Sequence, residues 1–306
     1  MSKTEVDFNV ELEALGDISK PLTMRGLKTL SNLDDGQIAT LWDQWQQIPG
    51  ERRLEIVQAL NQLAEDNIDL DFRQLLLTLL DDRDSAVRAA AINGLWEDER
   101  SWTLHRLFDL LHDPTGEVRA AATLGLSRFA YRAEVGELPE DDAQKVCTVL
   151  LELAGDPEQP LEVRRRAVEG LGYFCNSQES QVEIGRAYAH PEQLMRESAI
   201  AAMGRSMRSV WFPYIVRELH SISPALRYEA ARAVGELGEE GQQLVSPLLP
   251  LVDDEDVEVS QAAIWALGQV GGPHAQRVLQ RLARSRDDAR RQAALEALDE
   301  LTFDDF

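Results

Sequence analysis

Long apolar runs are missing from this chain of 306 residues. No stretch approaches the ~18 consecutive apolar residues that a spanning helix needs, so no membrane segment is expected. The first residues, "MSKTEVDFNVELEALGD", lack a basic start followed by an apolar stretch, so no secretory signal is expected either. Cysteine is nearly absent, with only Cys147 and Cys175. Two small buried thiols in a reducing compartment fit that count better than a disulfide, which makes the cytoplasm the expected location. Lysine is scarce too, standing only at positions 3, 20, 28 and 145, while arginine supplies the remaining cations. Arginine holds carboxylates in a fixed fork where lysine offers a point charge.

Positive charge as a whole is in short supply. Lys and Arg number 31 against 54 Asp and Glu, a formal net charge of −23. Such a field repels phosphate backbones and anionic headgroups, so neither nucleic acid nor a membrane is the expected partner. It attracts cations, and it also keeps a long exposed surface soluble. With 44% hydrophobic and 28% charged residues, the chain has the composition of a folded protein.

Catalytic motifs are equally scarce. His105, His112, His190, His220 and His274 are widely spaced, and none belongs to H-E-x-x-H. Cys147 and Cys175 stand too far apart for a zinc knuckle. G-x-G-x-x-G, G-x-x-x-x-G-K-[ST] and G-x-S-x-G are all missing. "GELGEEG" (235–241) reads as a helix–helix turn whose acids would repel phosphate. No catalytic residue, metal or cofactor is therefore expected.

What the chain does have is repetition. "DSAVRAAAINGL" (84–95) returns as "EVRAAATLGL" (117–126), "EVRRRAVEGLG" (162–172), "LMRESAIAAMG" (194–204) and "ALRYEAARAVG" (225–235), with weaker copies at 50–60, 258–268 and 289–298. The marker positions are Arg53, Arg88, Arg119, Arg164, Arg196, Arg227, Ser260 and Arg291. Successive steps are 35, 31, 45, 32, 31, 33 and 31 residues. Periods of that size belong to solenoids. Asp84, Asp113, Ser223-Pro224 and Asp287 cap or pre-shape the first turn. The residues at marker −1, +3 and +7 share one helical face. Gly172, Gly204, Gly235 and Gly268, at marker +8, fit helix exits. Leucine-rich runs between the markers, such as "DFRQLLLTLLDD" (71–82) and "QQLVSPLLPLVDD" (242–254), predict a first helix for each unit. One helix pair cannot bury its apolar face, so stacked neighbours must supply the core.

The pattern D-x-x-x-V-R-x-x-A-x-x-x-L-G resembles HEAT repeats, especially the short units of phycobilisome-lyase-type proteins, from about residue 50 to 301. The resemblance implies an all-α fold, a right-handed α-solenoid (α-α superhelix) of about eight stacked HEAT-like helix pairs. It also implies that Asp84, Asp113, Asp156, Arg88, Arg119 and Arg164 are structural ladder residues, with one rung missing at Ser260. Deoxyhypusine hydroxylases of this type hold iron on His-Glu pairs, and no His-Glu dipeptide occurs in this chain. Lyases of this type attach a bilin using a pigment cleft, so a pigment-handling role is the alternative reading. Residues 1–19 are expected to be an acidic, mobile segment and 20–306 one continuous solenoid. Within it, 20–49 would form cap helices, 131–143 an inserted loop and 287–306 a C-terminal cap.

The function expected from this pattern is a non-catalytic scaffold or adaptor, a monomer that binds a partner protein or peptide along its concave groove. Positions +1, +2 and +5 from each marker should face away from the layer core. In the second half they bring together Arg165, Arg166, Tyr228, Arg232 and Trp265. Arginine with aromatics is the usual composition of a binding hot spot, and an acidic or extended peptide is the expected ligand. The competing expectation has Trp265 and Tyr228 packed on the next repeat and the arginines paired with Glu169 and Glu229. Trp42 and Trp45 are expected in the N-terminal core, and Trp96, Trp102, Trp211 and Phe212 in packing between repeats.

Overall fold

A computed structural model describes residues 3–303, all helices and connections, with no strand among the described residues. The chain separates into two compact units, one ending at Phe129 and the other starting at Ala130. The boundary falls inside one helix, Gly116–Glu134.

The first unit opens with α1 (Lys3–Gly16), α2 (Met24–Lys28) and α3 (Asp35–Trp45). It continues through α4 (Gly50–Asp66), α5 (Arg73–Leu79), α6 (Ser85–Gly94), α7 (Ser101–Leu110) and the start of α8 (Gly116–Glu134). The segment expected to be mobile is mostly α1, which buries Phe8, Leu12 and Leu15. Arg52 of α4 ties it down by donating to the Leu15 carbonyl at 2.7 Å. Three apolar residues scattered among acids are enough to dock a helix. Met1 and Ser2 lie outside the described residues.

The second unit holds the end of α8, then α9 (Glu140–Gly155), α10 (Leu161–Leu171), α11 (Gln178–Tyr188) and α12 (Gln193–Arg205). After these come α13 (Phe212–Leu219), α14 (Pro224–Glu236), α15 (Val245–Leu248), α16 (Val257–Val270), α17 (Gly272–Leu282) and α18 (Asp288–Phe303). Residues 304–306 of the expected C-terminal cap lie outside the described residues. All eight markers fall on second helices: α4, α6, α8, α10, α12, α14, α16 and α18. In this unit the second helices from α10 to α18 pack successively on one another. One first helix, the one paired with α16, departs from regularity. Leu249–Asp253 and Gly238–Leu244 are 3-10 turns flanking α15, because Pro247 and Pro250 remove donors and crowd the preceding turn. The expected inserted loop at 131–143 is largely helix as well. Extra residues lengthen α8 and α9 and leave only Val135–Pro139 as the connection.

A ladder of side chains ties together most of the helix pairs. Arg88 donates from Nη1 to the Asp82 carbonyl at 2.7 Å and grips Asp113 of the next pair through Nε and Nη2 at 2.9 and 3.0 Å. Arg227 repeats this on the Ser221 carbonyl at 3.0 Å and on Asp254 at 2.8 Å twice. Arg119 and Arg291 donate to the Asp113 and Ser285 carbonyls at 2.8 and 3.1 Å. These carbonyls end the first helices and lack intrahelical donors. Ser260 keeps half of the rung, since its hydroxyl donates to the Val252 carbonyl at 2.9 Å.

Gly172 is a helix exit as expected, and Gly204 and Gly235 lie in the last turn, but none of the four takes a left-handed conformation. Gly204, Gly235 and Gly268 lie inside α12, α14 and α16, and Gly172 caps α10 with φ −56°. They are points of close approach. A Cβ on Gly204 would stand 2.7 Å from Ala233 Cα, one on Gly172 2.8 Å from the Ala202 carbonyl oxygen, and one on Gly268 2.9 Å from Ala297 Cβ. Only glycine lets the backbones come this near.

Candidate functional site

The five residues expected to share a surface fall into two groups in the second unit. Arg165 and Arg166 stand on α10 amid carboxylates of their own helix. Arg165 bonds Glu162 at 2.9 Å and lies 3.6 Å from Glu169, while Arg166 bonds Glu162 at 2.9 Å and Glu169 at 3.0 Å. Glu169 is buried and also accepts from the Ser198 hydroxyl at 2.7 Å. These i,i+3 and i,i+4 pairs occupy both guanidinium groups. An acidic peptide would have to compete with two carboxylates already in place.

Tyr228, Arg232 and Trp265 do come together. Tyr228 and Arg232 lie on α14 and Trp265 on α16, and with Glu258, Gln261 and Ala262 they line a hollow of about 550 Å³. The Arg232 guanidinium lies 5.5 Å from the Trp265 ring centroid and 3.4 Å from Glu236. Cation–π contact holds both side chains in place. The indole is half-buried because Gly235 opens space beneath it; a Cβ there would stand 2.4 Å from Trp265 Cζ3. A second hollow of about 360 Å³ on α16 and α18 shares Trp265 and Gln261 with the first and has Glu296 and Glu300 on its wall. Trp265 thus borders two hollows.

Beside this group Glu229 makes no ion pair among the described residues. Burial pushes its carboxyl up to about 7; Arg232 and Arg205 oppose the shift, while Glu169 and Glu197 add to it. Of the pairings expected with Glu169 and Glu229, Arg165 and Arg166 do face Glu169, while Arg232 pairs with Glu236, which Arg205 also approaches at 3.3 Å. Among the described residues, no group of three or more His, Cys, Asp or Glu is placed to hold a metal ion. Both cysteines are free thiols, and no described helix is long and apolar enough to cross a membrane.

The profile described as HEAT repeats matches residues 72–161 and 212–299, more than half of the chain. The chain belongs to the HEAT-repeat family. No curated protein sequence matches it significantly. Among solved structures, the complex of CpcE and CpcF of phycocyanin lyase from Nostoc sp. PCC7120 is 15% identical, covering 94% of this chain and 96% of that one, with a TM-score of 0.56. Human deoxyhypusine hydroxylase in complex with glycerol is 22% identical over 98% of this chain and 97% of that one, with a TM-score of 0.33. A designed armadillo repeat protein is 19% identical over 65% of this chain and 99% of its own, with a TM-score of 0.40. The likeness to the lyase complex shows the HEAT-type solenoid fold and nothing about chemistry.

Two tryptophans of this HEAT chain depart from expectation. Trp211 and Phe212 are buried as expected, and Trp45 is buried with its indole N–H donating to Asp82 at 2.6 Å. Trp96 and Trp102 instead stand 50% and 52% exposed in the first unit. Trp96 occupies marker +8, the position that glycine holds in the second unit. α6 ends at Gly94, two residues before Trp96, and the indole is half exposed. The empty glycine position was the signal in the sequence.

Proposed function

We propose that this protein is a non-catalytic binding module that takes an extended segment of a partner protein along the second helices of its second unit. Trp265 carries the reading: a half-buried indole, fixed by Arg232 and seated over Gly235, that borders two hollows. Rigid aromatics beside arginine supply contact area at low entropic cost, which is what a hot spot requires. Tyr228 and Arg232 flank it, and Arg165 and Arg166, already neutralised, extend the contact surface without favouring acids.

Crosslinked capture from the native host identifies the partner, and titration of the purified partner then tests the site. Replacing Trp265 and Arg232 together by Ala should weaken binding by at least about tenfold, as expected for hot-spot truncation. Unchanged affinity removes the site. The pigment-handling reading is tested beside it: visible absorbance retained by the protein after co-expression with bilin synthesis would replace the scaffold reading.

A further inference from the structure

The first unit carries a hollow of about 260 Å³ between the α4–α5 and α6–α7 connections. Its floor is the buried Phe72, Leu76 and Leu95. Its walls are Ile68 and Trp96, exposed by 97% and 50%. Large apolar side chains left this open beside a concavity mark an interaction site more often than a scattered surface residue does.

The connections that carry the walls are cross-braced. Arg73 is clamped to Asp71 through Nε at 2.9 Å, and Arg100 to Asp98 at 2.8 Å, the same Asp-x-Arg arrangement in successive connections. Asp71 is pinned again by its N–H donating to the Ser31 hydroxyl at 2.9 Å and its carbonyl accepting from the Asn32 N–H at 2.7 Å. Arg128 donates to the Leu95 carbonyl at 2.7 Å from the other side. A preformed hollow spares its ligand the ordering cost of a floppy loop.

Charge selects the ligand. Residues 65–73 and 96–100 hold seven carboxylates against two arginines, and those arginines are the ones Asp71 and Asp98 already engage. We propose that this hollow docks one apolar side chain of a partner segment that carries lysine or arginine on either side of it. The apolar anchor fills the space over Phe72 and Leu76 against Trp96, while the flanking cations meet Glu97, Asp69 and their neighbours. This site is separate from the Trp265 surface and does not depend on it.

The probe is the capped peptide acetyl-Arg-Leu-Arg-Leu-Arg-amide, titrated into the full chain while the indole N–H signals are followed by NMR. Loss of one signal in W96A assigns Trp96. The Trp96 signal should move saturably while that of Trp265 stays still, and the glutamate analogue of the peptide should move neither. Replacing Ile68, a solvent-facing residue, by Ser should weaken binding by about tenfold, the scale of one buried aliphatic side chain. W265A should leave this titration unchanged, so failure here and failure of the Trp265 surface are told apart. A still Trp96 signal, an equal response to the glutamate peptide, or all indoles moving together would overturn the proposal.

Discussion

The two units use the same ladder and different helix contacts. Arg88 in the first and Arg227 in the second each hold a preceding carbonyl and the next pair's aspartate. At marker +8 they diverge. In the second unit that position is Gly172, Gly204, Gly235 and Gly268, and three of these face an alanine at marker +6 of the next helix. In the first unit it is Asn61, Trp96 and the buried Ser127. Asn61 donates to the Ala90 carbonyl at 2.9 Å, and the facing marker +6 residue is itself glycine, Gly94, whose added Cβ would stand 2.1 Å from Asn61 Oδ1. Bulk on one helix is thus matched by its absence on the next. Trp96 also has a glycine at the corresponding marker +6 position, Gly125, yet stands half exposed, and the space over Gly125 is taken by Leu107. The ladder sets the repeat, and the +8/+6 pair shapes the helix contact.

If the ladder is common to both units, breaking it should hurt each alike. R88A and R227A both strand an aspartate with little solvent access, so each should lose about 3 kcal/mol in urea denaturation followed by circular dichroism. S260A removes one hydrogen bond to the Val252 carbonyl and should lose about 1 kcal/mol. Equal losses in all three would mean that the bidentate aspartate grip contributes nothing beyond the carbonyl bond.

A feature confined to the second unit is the charge crowded at Glu229. Its carboxyl rises from an ordinary 4.5 to about 7, so the folded state keeps a proton that the unfolded chain has already released. Stability from this group is full below the unfolded value and falls as pH rises through that window. E229Q should therefore match the wild type near pH 4 and exceed it by about 2 kcal/mol near pH 8, allowing for partial solvent access. A difference that stays flat with pH would mean that Glu229 is not the titrating group.

Much of this was legible in the sequence for definable reasons. The marker period, arginine at seven positions and Ser260 at the eighth, located all eight second helices, because a residue needed once per stacking contact must recur at the length of the unit. The pairing of Arg165 and Arg166 with Glu162 and Glu169 was partly legible, since i,i+3 and i,i+4 neighbours share a helix face. The meaning of Gly204 was not. Glycine near a helix end serves a left-handed exit or a close approach equally well, and only the position of Ala233 decides between them. Trp96 was misplaced for a related reason, because its exposure depends on room at a contact that no single repeat contains. The helix α1 was hidden because its apolar residues are few and their partners lie elsewhere in the chain.

The glycine contact offers the finest test of the comparison. G204A gains about 1 kcal/mol of helix propensity, yet its Cβ meets backbone and Cβ of Ala233 at 2.7 and 2.9 Å. Rigid atoms cannot yield, and overpacking of this kind costs typically 1–3 kcal/mol, about, so the variant should end near or below the wild type with its helices pushed apart. G94A meets instead the amide end of Asn61 and a methyl of Leu76, both on rotatable bonds. In the first unit the strain should therefore be relieved by shortening the partner. A double-mutant cycle of N61A and G94A should show favourable coupling of about 1 kcal/mol, whereas no such rescue is open to Gly204, whose obstacle is the neighbouring main chain. Strict additivity in the Asn61–Gly94 cycle would break the idea that bulk is exchanged across this contact, and would leave the glycines of the second unit as a local accident of its sequence.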